Sequence, residues 1–423
     1  METGEKKNIP IRRFPEFLND GEWEVKRLGE VAEFYKGKGI SKTEASDKGK
    51  TPCVRYGELY THYKEIIRET KSFTDVPAEE LFLSKANDVV IPSSGETKED
   101  ISTASCIMND NIALGGDINV IRSSNDGVFL SYYLNNAKKD DIAKIAQGVS
   151  IIHLYNEQLK NLQICIPSIE EQHKIAACLS VADEMIASTN GKLEQLKAYK
   201  KGLMQKLFPA KGKKLPELRL KEFEKDGEWE EKKLGEAVDV FQGYGFPERM
   251  QGKTQGKYPF IKVSDISTTV NNGRKYIDVA NNYVDEEELS ILGVTPFPIG
   301  TIIFAKIGEA IRLNRRVILS KPSLIDNNVG GVKAKDGLSN DDFVFYIMSM
   351  IDLVKYAGGV VPAVKKTAIE NIEVLMPPTL YEQQRIADCF DLIDEMINQY
   401  TNKVTVLELY KKGLMQQMFP TSK

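Results

Sequence analysis

The sequence contains few of the residues that metal sites and covalent catalysis use. Among 423 residues there are 5 cysteines and 3 histidines. The cysteines form no Cys-x-x-Cys pair, and their odd number argues against a disulfide framework. His62, His153 and His173 are too scattered for a His-rich metal site, and they leave a Ser-His-Asp triad little to draw on. These shortages argue against a metalloprotein, a disulfide scaffold and a triad hydrolase.

Long apolar runs and nucleotide-binding loops are also missing. No apolar run approaches the roughly 20 residues that a membrane-spanning helix needs. The first residues, Met1–Lys7, lack the apolar stretch of a signal peptide, so we expect a cytoplasmic protein. The Walker A, zinc-finger and His-Glu-x-x-His patterns are absent. We therefore expect no catalytic residue, no cofactor and no metal in this chain.

Two short glycine segments superficially resemble the cofactor loop of methyltransferases. They place Gly37 and Gly39 in the first half of the chain, and Gly243 and Gly245 in the second. The third glycine of such a loop is missing, and neither copy is followed by a tetrapeptide like Asn-Pro-Pro-Tyr. A turn that needs permissive glycine backbones accounts for these segments better than a cofactor site does.

Neither sign of charge is in excess. The 57 Lys and Arg residues nearly balance the 61 Asp and Glu residues, for a net charge of −4. This balance gives no global indication of nucleic-acid binding. At about 150 residues for a typical domain, the length predicts two to three soluble globular domains. Composition alone leaves the function open, so the order of the residues must indicate it.

The opening of the chain is repeated 206 residues later. Residues 17–30 read FLNDGEWEVKRLGE, and residues 223–236 read FEKDGEWEEKKLGE. The only two tryptophans, Trp23 and Trp229, occupy the same place in both copies. Because this period is far too long for a solenoid, it indicates a duplicated domain with pseudo-two-fold symmetry.

A second pair of matching segments closes each copy. Residues 171–176 read EQHKIA, and residues 382–387 read EQQRIA, an offset of 211. Both copies then share the segment YKKGLMQ and end in Phe-Pro, at Phe208-Pro209 and Phe419-Pro420. Between these landmarks the halves diverge strongly. Two similar frames therefore hold two different inserts.

The closing segments have the apolar spacing of long helices. Their apolar residues recur by steps of four and three, which is typical of a coiled-coil seam rather than of a broad globular face. Lys200 and Lys411 fill matching gaps in the two seams. At a rise of 1.5 Å per residue, each helix would be on the order of 50 Å long. The predicted helix–helix packing positions are Ile175, Leu179, Ile186, Leu193, Leu196, Leu203, Ile386, Phe390, Ile393, Ile397, Leu407 and Leu414.

Two arrangements of these helices are open. If the two seams bury against each other, pseudo-two-fold symmetry makes the helices antiparallel; alternatively, each helix packs on a separate core. The inserts are predicted to be compact α/β domains of the α+β kind. Their predicted strands are 89–91, 118–121, 162–166, 301–305 and 372–376, and their predicted helices are 129–146 and 343–356. The expected organisation is a first domain at 1–168, a first spacer helix at 169–210, a second domain at 211–378 and a second spacer helix at 379–423, with the linker at 210–216.

Candidate nucleic-acid contacts occur locally in both inserts. Basic residues interleaved with Tyr, Ser, Gln and Gly in loops can neutralise phosphates and reach base edges. Arg315-Arg316 is the strongest individual signal, because arginine suits bidentate contacts to guanine or phosphate. For any single position, a solvated surface loop is an equally good interpretation. The candidates are Lys36, Lys38, Lys42, Arg55, Tyr56, Tyr244, Lys262, Ser264, Lys306, Arg312, Arg315 and Arg316.

The whole arrangement resembles the specificity subunit of type I restriction–modification systems. The resemblance rests on four landmarks that each occur twice and in order. They are the Gly-Glu-Trp-Glu opening, the strand that ends at Ile166-Pro167 or Met376-Pro377, the Glu-Gln-x-x-Ile-Ala helix start and the Lys-Lys-Gly-Leu-Met-Gln exit. It covers essentially the whole chain. In that family the divergent inserts are the two target-recognition domains.

The resemblance implies a role without chemistry in this chain. Each recognition domain would read one half of a bipartite, asymmetric sequence in double-stranded DNA. The two helices would set the spacing between the halves and dock two adenine-N6 methyltransferase subunits, which restriction subunits would join. S-adenosylmethionine, ATP and magnesium would then belong to these partners, and no membrane would be involved.

Other functions are conceivable from the same residues. A stand-alone methyltransferase or nuclease would need a catalytic tetrapeptide or a cluster of carboxylates with lysine, neither of which we find in the sequence. A coiled-coil scaffold would need no contact with DNA at all. A modification-only or phage-defence complex would use the same architecture, and the sequence does not separate it from a restriction system.

Overall fold

A computed structural model describes residues 8–420, so the expectation about Met1–Lys7 lies outside the described residues. The chain forms two compact units. The first unit runs to Ser188 and resumes from Thr405, and the second is Thr189–Val404. Both boundaries fall inside segments expected to be spacer helices, and the four-segment organisation expected above stays a prediction. Within residues 8–420, no helix is long and apolar enough to cross a membrane.

The first repeat alternates short strands and short helices before a long helix. Its strands are β1 (Glu24–Arg27), β2 (Ala32–Lys36), β3 (Ala45–Ser46), β4 (Thr51–Val54), β5 (Ile66–Ile67), β6 (Ser72–Thr74), β7 (Val89–Pro92), β8 (Ser94–Gly95), β9 (Ser105–Ile107), β10 (Ala113–Leu114), β11 (Ile118–Ser123), β12 (Ile152–His153) and β13 (Gln163–Ile166). Its helices are α1 (Leu28–Val31), α2 (Tyr56–Thr61), α3 (Lys98–Ile101), α4 (Gly127–Asn136), α5 (Lys139–Ile145), α6 (Asn156–Lys160) and α7 (Ile169–Leu207).

The second repeat has the same plan with different loops. Its strands are β14 (Glu230–Lys233), β15 (Val238–Gln242), β16 (Tyr258–Ile261), β17 (Tyr276–Ile277), β18 (Tyr283–Val284), β19 (Ile302–Ala305), β20 (Arg316–Leu319), β21 (Leu324–Ile325), β22 (Val329–Ala334), β23 (Ala357–Gly358), β24 (Ala363–Val364) and β25 (Glu373–Met376). Its helices are α8 (Leu234–Ala237), α9 (Val263–Asn271), α10 (Glu286–Leu292), α11 (Asp341–Met350), α12 (Lys366–Glu370) and α13 (Leu380–Met418).

Each unit is built on a five-stranded sheet of the same topology. The strand order is β2-β11-β7-β9-β5 in the first unit and β15-β22-β19-β20-β17 in the second. The central strands β7 and β19 are buried throughout, because both faces of the sheet are covered. Val89 and Ile91 pack in one core on one face, and Val90 packs in a second core on the other. This alternation follows from the two-residue period of a strand.

The sequence-based strands are confirmed, but the two helices of the inserts were predicted too long. The predicted helix 129–146 is divided into α4 and α5, and the predicted helix 343–356 ends as α11 at Met350. Polar caps define the starts of α4 and α11: Asp126 accepts a hydrogen bond from the backbone N–H of Phe129, and Asn340 accepts one from Phe343. After α11, Asp352 caps a separate helical turn. Asp352 thus satisfies a backbone donor, the N–H of Val354, that a continuous helix would use internally.

The two long helices run antiparallel within each unit. Both α7 and α13 have 39 residues, which at 1.5 Å per residue is about 58 Å. In the first unit, Ile175 near the start of α7 shares a core with Leu414 near the end of α13. In the second unit, Leu207 at the end of α7 shares a core with Ile386 near the start of α13. Both arrangements considered above are therefore combined, since these cores also contain the recognition-domain tryptophans Trp23 and Trp229.

All twelve predicted seam residues are buried or half-buried. The eight that are buried are Ile175, Leu179, Ile186, Leu193, Ile386, Phe390, Ile393 and Leu414. The remaining four, Leu196, Leu203, Ile397 and Leu407, are half-buried.

The Phe-Pro exit of each repeat completes the core that contains the other repeat's tryptophan. In the first unit, the ring of Phe419 lies 6.4 Å from Trp23 and 5.6 Å from Tyr133. In the second unit, the ring of Phe208 lies 5.9 Å from Trp229. Aromatic contacts at these separations add to the energy of apolar burial. The two repeats thus exchange their C-terminal helix ends.

The Glu-Gln landmark at the start of each long helix is structural. Glu171 accepts two hydrogen bonds from the Arg13 guanidinium, at 2.8 and 2.7 Å, and Glu382 pairs in the same way with Arg219. Hydrogen bonding to Glu171 raises the pKa of Arg13 despite its burial. The neighbouring Gln172 accepts the backbone N–H of Asp126 at the start of α4. The landmark therefore joins the opening segment, the recognition domain and the long helix.

Candidate nucleic-acid interface

The first glycine of each glycine pair allows two chain segments to come into contact. A Cβ atom on Gly37 would lie 2.1 Å from the carbonyl oxygen of Gly115, and one on Gly243 would lie 2.0 Å from that of Asp326. The backbone N–H of the next residue donates to the facing strand in both units, from Lys38 to Leu114 and from Tyr244 to Ile325. These glycines thus serve a close backbone turn, because any side chain would collide with the neighbouring carbonyl.

A basic residue occupies the same position beside this turn in both units. Arg55 directly follows β4, and Lys262 directly follows β16; each begins a helix, α2 or α9. The backbone N–H of Arg55 donates to the Glu58 carboxylate at 2.9 Å. In the same way, the backbone N–H of Lys262 donates to the Asp265 carboxylate at 2.8 Å. The two repeats therefore aim a cationic side chain from equivalent backbone sites, although the surrounding sequences differ.

Strand pairing brings the basic position next to the glycine turn. β10 pairs parallel with β4, and β21 pairs parallel with β16. Gly115 then donates its backbone N–H to the carbonyl of Val54, and Asp326 donates to that of Ile261, both at 2.9 Å. The glycine turn and the basic residue thus lie on either side of the segment that follows β10 or β21.

In the first unit these elements surround an open cleft of about 850 Å³. The candidates Lys42, Arg55 and Tyr56 all line it, together with the backbone of Gly39 and of Gly115. Lys36 and Lys38 are exposed at the adjoining glycine turn. Tertiary structure therefore brings together all five candidates of the first insert, which are separated by up to 20 residues in sequence.

The guanidinium of Arg55 is held loosely in this cleft. Its Nη2 lies 3.3 Å from Oε1 of Glu58, and its Nε is buried without a hydrogen-bond partner. Glu58 is itself buried and also accepts a hydrogen bond from Ser72. The carboxylate orients the guanidinium while leaving donors that a ligand can use. This is an arrangement suited to an acceptor such as a phosphate oxygen or a guanine edge.

In the second unit, three candidates surround the equivalent turn. Tyr244 stacks on Phe297 with ring centroids 5.2 Å apart. Lys262 donates to Oε1 of Gln251 at 2.6 Å, and its Nζ lies 5.6 Å from the Phe246 ring. Ser264 is exposed on the first turn of α9. This end of the sheet is thus basic and aromatic, a combination that binds nucleic acids.

The remaining candidates of the second unit differ in exposure. Arg312 is exposed and pairs with Glu309, and Arg315 is half-buried and donates to Asn271 at 3.0 Å. Lys306 is half-buried, and desolvation lowers its pKa.

Arg316 lies in the interior of the second unit. It is only 6% exposed and bonds the Asn314 side chain, and burial lowers its pKa to about 10. The interpretation of Arg315-Arg316 as one basic contact pair therefore stays a prediction for Arg315. For Arg316, such a contact requires the side chain to leave the core.

Sequence reasoning missed two exposed loop tips near this end of the sheet. In the first unit, Val149 is 98% exposed and Ile151 is exposed; in the second, Val360 is fully exposed and Val361 is exposed. Each tip begins with a glycine at positive φ: Gly148 has +130°, and Gly359 has +94°. A signal was present, since the Gly-Val pairs are separated by the same 211 residues as the helix landmarks.

Comparison with known proteins agrees with this duplicated design. The family described as type I restriction modification DNA specificity domain matches residues 20–198 and 226–408. The MjaX specificity subunit of a type I restriction enzyme from Methanocaldococcus jannaschii is 26% identical, over 97% of this chain and 94% of that protein. The MjaVIII specificity subunit from the same organism is 24% identical, over 93% of this chain and 91% of that protein.

A solved structure is similar in fold along the whole chain. It is the S subunit of a type I restriction–modification system from M. genitalium, with a TM-score of 0.65 and 16% identity. The alignment covers 98% of this chain and 100% of that one. The twofold family match and this full-length likeness agree with the duplication visible in the sequence.

Proposed function

We propose a separate DNA-reading role for each of the two units of this chain, which belongs to the type I restriction–modification DNA specificity subunits and has two recognition domains. Each unit reads one half of a bipartite target in double-stranded DNA through the end of the sheet that carries the glycine turn. The observation that carries this proposal is the equivalence of Arg55 and Lys262. Both cations stand at the same backbone position in two otherwise divergent inserts.

The difference between the two cations suits an asymmetric target. Arginine presents a planar fork that matches guanine O6 and N7, whereas lysine acts as a mobile point charge. Neighbouring Lys36, Lys38 and Lys42 in the first unit neutralise phosphates and hold the duplex in register. Each half-site is therefore recognised by its own set of side chains, and either set can change without the other.

We further propose that the long helices carry the partner subunits. Exposed apolar or aromatic residues occur at matching positions on both helices: Val181 and Leu392, and Tyr199 and Tyr410, all separated by 211 residues. Two equivalent patches suit two copies of one partner, namely the adenine-N6 methyltransferase subunits, and restriction subunits join that core. S-adenosylmethionine, ATP and magnesium are bound by these partners in the cytoplasm, and this chain itself is not catalytic.

The test is methylome sequencing of cells that express the complex with single substitutions. Arg55→Gln is expected to alter or weaken only the first half of the methylated sequence, because Arg55 lies in the first unit. The lost bidentate contact would remove about 1–3 kcal/mol of discrimination between bases. Lys262→Gln is expected to alter only the second half. Lys144→Gln, at an exposed site on α5, is the matched control. A motif that is unchanged in both variants would contradict the assignment of these side chains.

A binding experiment tests the proposal at the level of the complex. The assembled complex is titrated with its target duplex at increasing salt, and binding is expected to weaken steeply because phosphate contacts release counterions. If the complex binds no duplex at all, the chain is an assembly scaffold instead. If the isolated chain transfers methyl groups to DNA without partners, the non-catalytic role is wrong.

A further inference from the structure

Both recognition domains carry an exposed apolar tip near the basic surface, which is the surface formed by the glycine turn with Arg55 in the first unit and with Lys262 in the second. In the first unit the tip is Gly148–Ile151, and in the second it is Gly359–Val361. The tips lie next to short β-pairings: β12 pairs with β8, and β23 pairs with β24. Val149 is 98% exposed, and Val360 is fully exposed. Val149 with Ile151, and Val360 with Val361, thus form a small exposed apolar patch at the same place in two divergent inserts, which a ligand can cover.

The backbone connects each tip to the DNA-reading surface. In the first unit Ser93 donates its N–H to the carbonyl of Asp117, which lines the cleft, and accepts the N–H of Leu154 after the tip. In the second unit Lys306 donates its N–H to the carbonyl of Asn328 and accepts the N–H of Val364. Only one backbone segment therefore separates each tip from the segment beside the basic residue.

We propose that the two tips enter the major groove of the DNA. Each tip would place its apolar side chains against thymine methyl groups in its own half-site. This proposal rests on the proposed function. A narrow turn with a leading glycine can enter a groove that a broad protein surface cannot. The C5-methyl of thymine is the apolar feature of the major groove, and small apolar side chains read it.

Sequence differences between the tips favour DNA over a common protein partner. After the shared Gly-Val, the first tip continues with Ser150-Ile151 and the second with Val361-Pro362. A partner subunit present in two copies would meet similar residues twice, as the matching patches on the long helices would allow. Two different half-sites require two different tips. Lys306, whose carbonyl accepts the N–H of Val364, and exposed Lys365 both lie close to the second tip and also suit a polyanion.

The test combines tip variants with removal of the thymine methyl. The assembled complex is titrated with its target duplex and with duplexes in which deoxyuridine replaces thymine in one half-site only. Wild type is expected to bind each substituted duplex about fivefold more weakly, because one buried methyl group is lost. The double variant Val149→Ser with Ile151→Ser is expected to lose this sensitivity in the first half-site and keep it in the second.

The second tip gives the reciprocal experiment. Val360→Ser with Val361→Ser is expected to lose the sensitivity in the second half-site alone, so each variant is the folding control for the other. Leu338→Ser serves as an exposed apolar control away from the tips. Equal sensitivity to deoxyuridine in wild type and variants overturns the proposal. It is also overturned if the variants bind DNA normally but no longer assemble with the methyltransferase. If the proposed function itself is wrong, the result is different, because the wild-type complex would then bind its target duplex no better than a duplex of unrelated sequence.

Discussion

Lys200 on α7 makes two hydrogen bonds to the Asp394 carboxylate on α13, with Nζ–O distances of 2.5 and 2.7 Å. The equivalent residues Lys411 and Asp183 are paired in the first unit at 2.8 Å. These lysines fill the matching gaps in the two apolar seams. In a parallel, in-register pair, lysine would face lysine and aspartate would face aspartate. The charges therefore favour the antiparallel arrangement, as polar seam residues do in coiled coils.

Replacing Lys200 alone is expected to destabilise the second unit. Lys200→Met leaves Asp394 mostly buried without its cation, and we expect a loss of about 2 kcal/mol, below the range for fully buried pairs because both groups are 21% exposed. Adding Asp394→Leu should recover most of this loss. The measurement is urea unfolding followed by Trp229 fluorescence in a Trp23→Phe background. Lys197→Met, which breaks an exposed pair, is the control and should cost less than about 1 kcal/mol.

Alkaline pH is expected to weaken the fold through two buried tyrosines. Burial and the neighbouring Asp183 raise the pKa of Tyr132, and burial with Asp394 and Asp391 raises the pKa of Tyr346. The folded state thus favours the protonated phenol. Stability from these groups is complete below the unfolded pKa of about 10 and declines as pH rises above it.

Ultraviolet titration of tyrosinate checks this expectation. Absorbance at alkaline pH should rise in two steps, with exposed tyrosines ionising first and the buried ones only as the protein unfolds. Tyr132→Phe with Tyr346→Phe should reduce the second step and leave the first unchanged. A single step with full ionisation in the folded protein would contradict the assigned burial effect.

Because each repeat's helix end packs in the core with the other repeat's tryptophan, removing the phenylalanine of one repeat is expected to destabilise the unit that contains the other repeat's tryptophan. Phe419→Ala should destabilise the first unit and Phe208→Ala the second, each by about 3–5 kcal/mol, because a buried aromatic ring is removed. Unfolding monitored by Trp23 alone and by Trp229 alone separates the two effects. The expectation fails if Phe208→Ala shifts the Trp23 transition, since Phe208 belongs to the first repeat in sequence but packs in the second unit.

Helix length is expected to determine the gap between the two half-sites. Insertion of seven residues after Gly191 and seven after Asn402 would lengthen each helix by about 10 Å, which corresponds to about three base pairs. Methylome sequencing should then show the same half-sites with a wider gap. An unchanged gap would show that contacts to bases, rather than the helices, determine the spacing.

Periodicity and repetition made much of the architecture predictable. The strands predicted at 89–91 and 301–305 are found as β7 and β19. The long helices, whose seams repeat over many turns, are found as well. Such signals depend only on residues that are close in sequence. The break after α4 and the end of α11 were not found, because a cap such as Asp352 depends on a local choice between turn and helix.

The sequence by itself determined that this chain is a duplicated frame around two divergent inserts, since repeats and helix periods can be read from the order of residues. Only the tertiary structure decided that Phe208 completes the core around Trp229, that Arg55 lines a cleft while Arg316 is buried, and that two valine tips lie beside the basic surface. The physical reason is that exposure and long-range contacts depend on strand pairing. Arg55 directly follows one apolar strand, and Arg316 begins another. Their sequence surroundings therefore do not distinguish a surface cation from a buried one.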